Sequence, residues 1–315
     1  MAWHPSSHPG EIPNLPVGRE HIHTGRLEDD NLAQINTPAP IPNKIKSLQD
    51  FLKTIGDWQH KHASSGGDEG FLSQLWYRGV NEHFPTQVPS VYRQDFTDRA
   101  EKLRPAKPVE ENRLKLEREI LSQFRTAGAA FLNRNSTVEI YFAAAHVRMP
   151  TRLLDWSTNP LNALLFACGG DPRKDGFVYA MDARKVIPPG AMWKERGKEK
   201  ERLYQAVMTM RHPFVGYAVG LSYWGDVDAF VHPHVLPIRP DNVPGRIAQQ
   251  SSCFTLHMHN APDAKNPTLI TIPVDAGSKD SIRADLHRLN INQFTTYYDL
   301  DHLSIEIRSS WGLRS

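Results

Sequence analysis

Cysteine is scarce in this chain of 315 residues, which has only two, Cys168 and Cys253. Two cysteines so far apart argue against both a disulfide framework and a cysteine-rich zinc site, and we expect a reducing compartment, the cytoplasm. Long apolar runs are lacking too, because no stretch approaches the roughly 18 residues of a membrane span. The opening residues, MAWHPSSHPGEIP, hold no apolar segment of a secretory signal peptide. We expect neither secretion nor a membrane partner.

An excess of one charge is also missing, since 37 Lys and Arg stand against 35 Asp and Glu. This balance argues against general coating of DNA or RNA, but it leaves room for a local basic groove that accepts a phosphate-bearing ligand. The motifs GxGxxG, P-loop, GxSxG and HExxH are all absent. Two histidine pairs, His232 with His234 and His257 with His259, lack an acidic or cysteine partner at metal spacing, so we predict no metal site.

Proline is plentiful at the start of the chain. Residues 1–43 contain seven prolines: Pro5, Pro9, Pro13, Pro16, Pro38, Pro40 and Pro42. Each fixes φ and removes a backbone donor, so neither a helix nor a central strand can persist. We predict an N-terminal extension over 1–43, either a disordered tail or an arm that packs on the body or on a partner, and one domain over 44–315.

Apolar periodicity within 44–315 predicts a mixture of helices and strands. Three- and four-residue spacing predicts helices over 47–58, 105–126 and 138–146, and a charged helix over 194–211. Asn159 and Pro160 are a good helix start, with Asn as N-cap and Pro in the first turn. Short apolar runs predict strands over 71–79, 153–156, 177–182, 227–238, 251–259 and 268–274. Helices come first and strands then interleave without a regular βαβ rhythm, which favours an α+β fold.

The first segment with chemical potential is Trp-Tyr-Arg-Gly at 76–79. A strand ending here presents the Arg78 guanidinium, which can bind phosphate through two parallel hydrogen bonds. Gly79 allows a ligand or another backbone to come close. The structural alternative is an Arg78 that pairs with a nearby carboxylate.

The second segment, PTRLLDWSTNP at 150–160, places Arg152 and Asp155 in an apolar stretch. Charges there must be paired or bind something, and the structural alternative is that they pair with each other. Ser157 and Thr158 follow at a junction between strand and helix. Their hydroxyls suit a phosphate or a sugar hydroxyl, or they cap the helix together with Asn159.

The third segment is RIAQQSSCF at 246–254, with Gln249 and Gln250 at the start of a strand. Neighbouring residues of a strand face opposite sides, so one of the two amides faces the core or a cleft. A buried amide needs partners, which leaves two interpretations, a structural hydrogen bond or a ligand contact.

These segments together resemble the FRG domain family over roughly residues 47–305. WYRG, PTRLLDW with the following NPLNALLFA, DGFVYAMD and RIAQQSSCF occur in the family's order, and its aromatic-Arg-Gly motif is Tyr77-Arg78-Gly79 here. The family usually has Gln-His-Tyr-Gly before its Pro-Thr-Arg, where residues 145–149 of this chain are Ala-His-Val-Arg-Met.

The FRG family is itself thought to be related to the ADP-ribosyltransferases. That relation implies an α+β fold split into two small, roughly perpendicular sheets with NAD bound between them. It also implies a three-part pattern, in which Arg78 is the first part, Ser157 and Thr158 are the second, and Gln250 stands where Glu is usual. The remaining residues of the implied NAD site are Tyr77, Gly79, Thr151, Arg152 and Gln249.

The resemblance implies a protein that uses NAD as substrate and transfers ADP-ribose to a protein or a nucleic acid, as a toxin or an anti-phage effector. Gln250 and Arg78 would then be the catalytic residues. Breaking the nicotinamide–ribose bond develops positive charge on the ribose, and a carboxamide offers that charge no negative partner. Two alternatives stay open: an inactive FRG module that binds or senses such a ligand, and an antitoxin-like or regulatory partner protein.

Overall fold

The computed structural model of the chain describes residues 43–63, 75–83, 87–132, 137–183, 235–238, 250–257 and 270–313. All of them belong to one unit, Pro38–Ser315. The predicted extension lies outside the described residues apart from Asn43, and so do the predicted helix over 194–211 and Gln249.

Eight helices form within the described part of the chain. They are α1 (Leu48–Ala63), α2 (Gln94–Glu101), α3 (Val109–Ala127), α4 (Thr137–His146), α5 (Pro160–Ala167), α6 (Lys279–Arg288), α7 (Gln293–Tyr297) and α8 (Leu300–Ser310). The three helices predicted within the first 146 residues are confirmed as α1, α3 and α4. The predicted start of α5 is confirmed as well, because Pro160 opens the helix and the Asn159 side chain accepts a hydrogen bond from the Leu161 amide.

Six described strands form one antiparallel sheet, which confirms an α+β architecture. They are β1 (Leu75–Val80), β2 (Leu153–Ser157), β3 (Gly176–Asp182), β4 (Val235–Ile238), β5 (Ser252–His257) and β6 (Ile270–Val274). Their order across the sheet is β4-β5-β2-β1-β3-β6. Strands that are distant in sequence therefore lie side by side at the centre of the sheet.

The two central strands, β1 and β2, have the fewest paired residues of any neighbouring strands in the sheet. β1 and β2 share a single register pair, Tyr77 with Ser157, whereas all six residues of β1 pair with β3 and all five residues of β2 pair with β5. The expectation of two separate small sheets is corrected by this arrangement. The described strands form two halves of three strands, and the pair at the centre joins them into one sheet.

Helix α5 packs directly on β1 and β3 because two glycines leave room for its backbone. A Cβ atom on Gly79 would lie 1.8 Å from the Ala163 carbonyl oxygen, and one on Gly176 would lie 2.0 Å from the Ala167 carbonyl oxygen. The sequence left open whether Gly79 makes room for a ligand or for another backbone, and the structure shows that it makes room for the backbone of α5. The same face of the sheet is covered by α1 and α6, whose Phe51 and Ile282 are fully buried in the core.

Two further properties concern the described residues alone. None of their helices combines the length and the apolar character that crossing a membrane requires. No three His, Cys, Asp or Glu side chains among them come together in a way that could hold a metal ion.

Candidate functional site

A cavity of about 230 Å³ opens at the narrow centre of the sheet, beside the pair of Tyr77 and Ser157. All three sequence segments that carry chemical potential contribute to its wall, although they are far apart in the chain. The lining residues include Tyr77, Arg78, Gly79, His146, Arg148, Asp155, Trp156, Ser157, Phe166, Gln250, Ser252, Phe254 and Tyr297. The antiparallel arrangement of β1, β2 and β5 is what brings these segments together.

Arg78 is held in place by two neighbours. Its Nη1 donates to the Asp155 carbonyl oxygen at 2.8 Å and lies 3.4 Å from Asp155 Oδ2, and its Nε donates to Gln87 Oε1 at 3.2 Å. Its Nη2 makes no hydrogen bond to the described residues. The guanidinium is thus fixed on one side and retains donors for a ligand.

Burial lowers the pKa of Arg78 and the charge of Asp155 partly offsets this, while Arg93 lowers the pKa further. An arginine has so high an ordinary pKa that the guanidinium stays charged at neutral pH. The sequence left open whether Arg78 pairs with a carboxylate or faces a ligand. In the structure Arg78 does both at once, because it pairs with Asp155 and also lines the cavity.

The hydroxyls of Ser157 and Thr158 hold the turn that carries Gln250. Ser157 Oγ donates to the Gln250 carbonyl oxygen at 2.7 Å, and the Thr158 amide donates to the Ser251 carbonyl oxygen at 3.0 Å. Ser251 has a φ of 49°, so the backbone turns sharply just before β5 begins. In the helix junction it is Asn159 that caps α5, while Ser157 Oγ accepts from the Asn159 amide at 3.0 Å.

Gln250 is partly buried and lines the cavity. Its Oε1 lies 3.5 Å from Ser252 Oγ, a long hydrogen bond, and its Nε2 has no partner among the described residues. The Gln250 side chain is therefore positioned through its backbone, and its Nε2 donors are available to a ligand in the cavity. Gln249, the predicted neighbour, lies outside the described residues.

Tyr77 lines the cavity but its hydroxyl is engaged elsewhere. Gln59 of α1 donates to the Tyr77 hydroxyl oxygen at 3.2 Å. Burial raises the pKa of Tyr77, and this hydrogen bond opposes the rise. The Tyr77 ring thus forms part of the wall while its polar end is turned toward α1.

Thr151 and Arg152 are not among the residues that line the cavity, although the resemblance implies them there. Both are buried, and Arg152 Nε donates to Glu117 Oε2 at 3.1 Å. Tyr141 donates to Glu117 Oε1 at 2.5 Å, and the Arg152 amide lies within hydrogen-bond distance of Glu117 Oε1 and of the Tyr141 hydroxyl oxygen. Arg152 is thereby engaged in a structural cluster that joins α3, α4 and β2.

The structural alternative that paired Arg152 with Asp155 is wrong. Arg152 pairs with Glu117, and Asp155 pairs with Arg78. Residues 152 and 155 are three apart on or beside a strand, so they face opposite sides of the sheet. Side chains placed in this way do not meet, and each finds its partner on a different element.

Sequence analysis did not assign His146, Arg148, Asp155 and Tyr297 to the site, although all four line the cavity. Asp155 stood in a predicted motif but was assigned to a different partner. His146 and Arg148 lie in the segment where the chain departs from the family's Gln-His-Tyr-Gly, which is a signal that could have indicated them. Tyr297 had no comparable signal, because only the tertiary fold brings α7 to β1 and β2.

One side of the cavity is aromatic. Tyr297 meets the edge of Phe166 with ring centroids 5.7 Å apart, and it stacks on His302 at 4.0 Å with the rings nearly parallel. His302 Nδ1 lies 2.7 Å from Asp299 Oδ1 at the start of α8. The Tyr297 ring is therefore held in place by His302, and together with Phe166 it gives the cavity wall a flat aromatic surface.

His257 is the one member of the two histidine pairs that the structure describes. It is buried, its Nε2 lies 3.1 Å from Thr255 Oγ1, and Trp156 Nε1 donates to the same oxygen at 3.0 Å. Burial lowers the pKa of His257 to about 3, and the charge of Arg78 contributes to the shift. The imidazole is thus neutral and belongs to a hydrogen-bonded chain between β2 and β5.

An α+β protein with a polar cavity at the centre of its sheet is the class that fold and geometry define. Residues 73–176 match the family model of the FRG domain. Over these residues the resemblance to the FRG domain family that the motifs indicated is confirmed. No curated protein matches the chain. No solved structure matches it either.

Proposed function

We propose that this chain binds NAD in the cavity beside Tyr77 and Ser157 and transfers its ADP-ribose to a protein or nucleic-acid acceptor. The observation that carries the proposal is that Arg78, Ser157 and Gln250, from three distant segments, line the same cavity. They are the three positions that the likeness to ADP-ribosyltransferases implies. Toxin or anti-phage activity is the biological role that such a transfer suits.

The cavity is suited to one half of a dinucleotide. Its volume of about 230 Å³ lies below the roughly 300–1,000 Å³ of pockets that enclose a whole drug-sized ligand. We place the nicotinamide and its ribose inside, with the flat ring against Tyr297 and Phe166. The pyrophosphate then lies at Arg78, whose Nη2 makes no hydrogen bond to the described residues, and the adenosine half extends outward.

The electrostatics of the wall are consistent with this placement. Arg78 and Arg148 supply positive charge for a pyrophosphate, and a buried guanidinium binds phosphate more strongly than an exposed one because water screens it less. Gln250 offers donors and an acceptor to a ribose hydroxyl. Ser157 and Thr158 act indirectly in this arrangement, because their hydroxyls fix the Gln250 turn.

Arg78→Ala tests the proposal through binding and turnover. A charged hydrogen bond is worth about 1.5–3 kcal/mol, so the variant is expected to bind NAD about 10- to 100-fold more weakly in calorimetry. Arg173→Ala is the matched control, because Arg173 is an exposed arginine that also pairs with an aspartate, Asp171, outside the cavity. NAD binding by the control should equal that of the unaltered chain.

Transfer is measured by incubating the chain with NAD and cell extract. Released nicotinamide is quantified, and protein, RNA and DNA are searched by mass spectrometry for added ADP-ribose. The expected result is a modified macromolecule with the unaltered chain and none with Arg78→Ala. Absence of NAD binding, or equal binding by Arg78→Ala and the unaltered chain, would contradict the proposal.

A second candidate is a binding or sensor module that holds NAD without breaking it. The observation in its favour is Gln250, a neutral carboxamide where a transferase of this kind usually has a carboxylate. Tight NAD binding with no nicotinamide release would select this function over transfer.

A further inference from the structure

We propose that Asp155 is the catalytic carboxylate of this cavity and supplies the negative charge that Gln250 lacks. This inference rests on the proposed function. It assigns the reaction to a residue of β2, two positions before Ser157, instead of to the turn before β5. No motif of the sequence indicates this role.

The position of Asp155 supports it. Asp155 is the one carboxylate among the described residues that line the cavity, and 65% of its side chain is exposed. On β2 it is paired with Phe254 of β5, and two positions further along Ser157 pairs with Ser252, so this part of the wall is held by a continuous ladder. A carboxylate on a strand is positioned more rigidly than one on a loop.

The chemistry requires such a group. When the bond between C1′ of the ribose and the nicotinamide nitrogen breaks, its electron pair neutralises the pyridinium and nicotinamide leaves uncharged. C1′ is left as an oxocarbenium cation, which a nearby carboxylate stabilises electrostatically. A lone pair of the acceptor then bonds to C1′, and the acceptor's proton passes to solvent. Asp155 forms no covalent bond in this sequence and is unchanged at its end.

Arg78 prepares Asp155 for this task. Its Nη1 donates to the Asp155 carbonyl oxygen and lies 3.4 Å from the carboxylate, so it fixes the direction of the Asp155 side chain. A bound pyrophosphate shares the same guanidinium. The attraction of Arg78 for the carboxylate is then divided between two anions, and Asp155 retains charge for the ribose.

The test is the isosteric variant Asp155→Asn, measured for nicotinamide release and, separately, for NAD affinity by calorimetry. Removing a group that acts in the transition state is expected to lower kcat about 10²- to 10³-fold, with the dissociation constant for NAD changed less than about threefold. Asp155→Glu should recover part of the lost rate, because it restores the charge at a slightly different place. Asp171→Asn is the matched control, because Asp171 is a partly exposed aspartate that pairs with Arg173 outside the cavity, and it should release nicotinamide at the unaltered rate.

The outcomes separate this inference from the proposed function. Turnover by the unaltered chain that survives in Asp155→Asn overturns the role of Asp155 and leaves the proposed function standing. NAD binding without turnover by the unaltered chain overturns both the transfer and the role of Asp155, and no NAD binding overturns the site itself. Urea unfolding of each variant shows whether a lost rate reflects a lost fold, and in that case Asp155→Glu decides, since a merely structural role gives no recovery of kcat.

Discussion

At the scale of the residue, Arg148 has a backbone conformation that arginine rarely adopts. Its φ is 65°, in the left-handed region that favours glycine, and it lines the cavity just after the end of α4. If His146 is aligned with the histidine of the family's Gln-His-Tyr-Gly, the glycine of that motif falls on Arg148. The backbone here is thus one that glycine adopts readily, while the Arg148 side chain adds a cation to the cavity.

Arg148→Gly is expected to stabilise the fold by about 1 kcal/mol, because glycine adopts a positive φ without the clash that a Cβ causes. The same change at Arg99, an exposed position in α2, should destabilise by about 1 kcal/mol, because glycine weakens a helix. Urea unfolding of both variants measures the two effects. Equal losses in both would show that the backbone at Arg148 is not strained.

At the scale of the element, α5 is the piece on which the site depends. It begins directly after the Ser157–Thr158 junction and its residue Phe166 forms part of the aromatic side of the cavity. Its distance from β1 is set by Gly79, where a Cβ would lie 1.8 Å from one backbone atom of α5 and 2.9 Å from another. Backbone atoms cannot rotate away as a side chain can, so the whole helix would have to move.

Gly79→Ala is therefore expected to destabilise the fold by about 3 kcal/mol, at the upper end of the usual effect of overpacking. Gly56→Ala is the control, since a Cβ at that position in α1 meets nothing within 4 Å and should stabilise the helix by roughly 0.5–1 kcal/mol. Thermal unfolding followed by circular dichroism gives both values. A gain in stability at Gly79 would mean that α5 does not pack as closely as described.

The sequence predicted the helices and strands whose own residues favour that structure. Asn159 and Pro160 start a helix by their own chemistry, and the apolar run 177–182 became β3 within one residue of its predicted start. The pairing of strands had no such signal, because antiparallel neighbours such as β2 and β5 are separated by about a hundred positions. The choice between one sheet and two depended on a single contact, Tyr77 with Ser157, which no local pattern encodes.

The same limit applied to the candidate site. Arg78, Ser157 and Gln250 could be named in advance because each stands in a recognisable motif, and all three line the cavity. The roles of the charged residues within the motifs could not be assigned, because the tertiary fold decides which opposite charge lies near each of them. Arg152 finds Glu117 at a separation of 35 residues, and Asp155 finds Arg78 at a separation of 77.

At the scale of the whole molecule, the pair of Glu117 and Arg152 ties α3, which lies between β1 and β2 in the chain, to the start of β2. The two side chains are only 2% and 4% exposed, and Tyr141 of α4 adds a third member. Burial alone lowers the pKa of Arg152, but the charge of Glu117 outweighs this effect and the pKa lies above its ordinary value. The position of β2, and with it of Asp155 and Ser157, is fixed from behind by this cluster.

Glu117→Gln is expected to destabilise the fold by about 3–5 kcal/mol, because it leaves the Arg152 cation buried without an opposite charge. Glu119→Gln on the same helix is the matched control. Glu119 is about half exposed and, among the described residues, pairs only with Lys115, so its loss should change stability by less than about 1 kcal/mol. The free energy of unfolding in urea measures both.

The double variant Glu117→Gln with Arg152→Met distinguishes two causes of instability. One is the unpaired buried charge of Arg152, and the other is the loss of the hydrogen bonds that Glu117 accepts. If the main penalty is the unpaired cation, removing it should restore most of the stability, since an apolar side chain of similar volume can fill the space. If stability stays low in the double variant, the hydrogen bonds that Glu117 accepts from the Tyr141 hydroxyl and the Arg152 amide carry the attachment. NAD binding by the double variant then reports whether a cavity formed by β1, β2 and β5 keeps its shape once this cluster is gone.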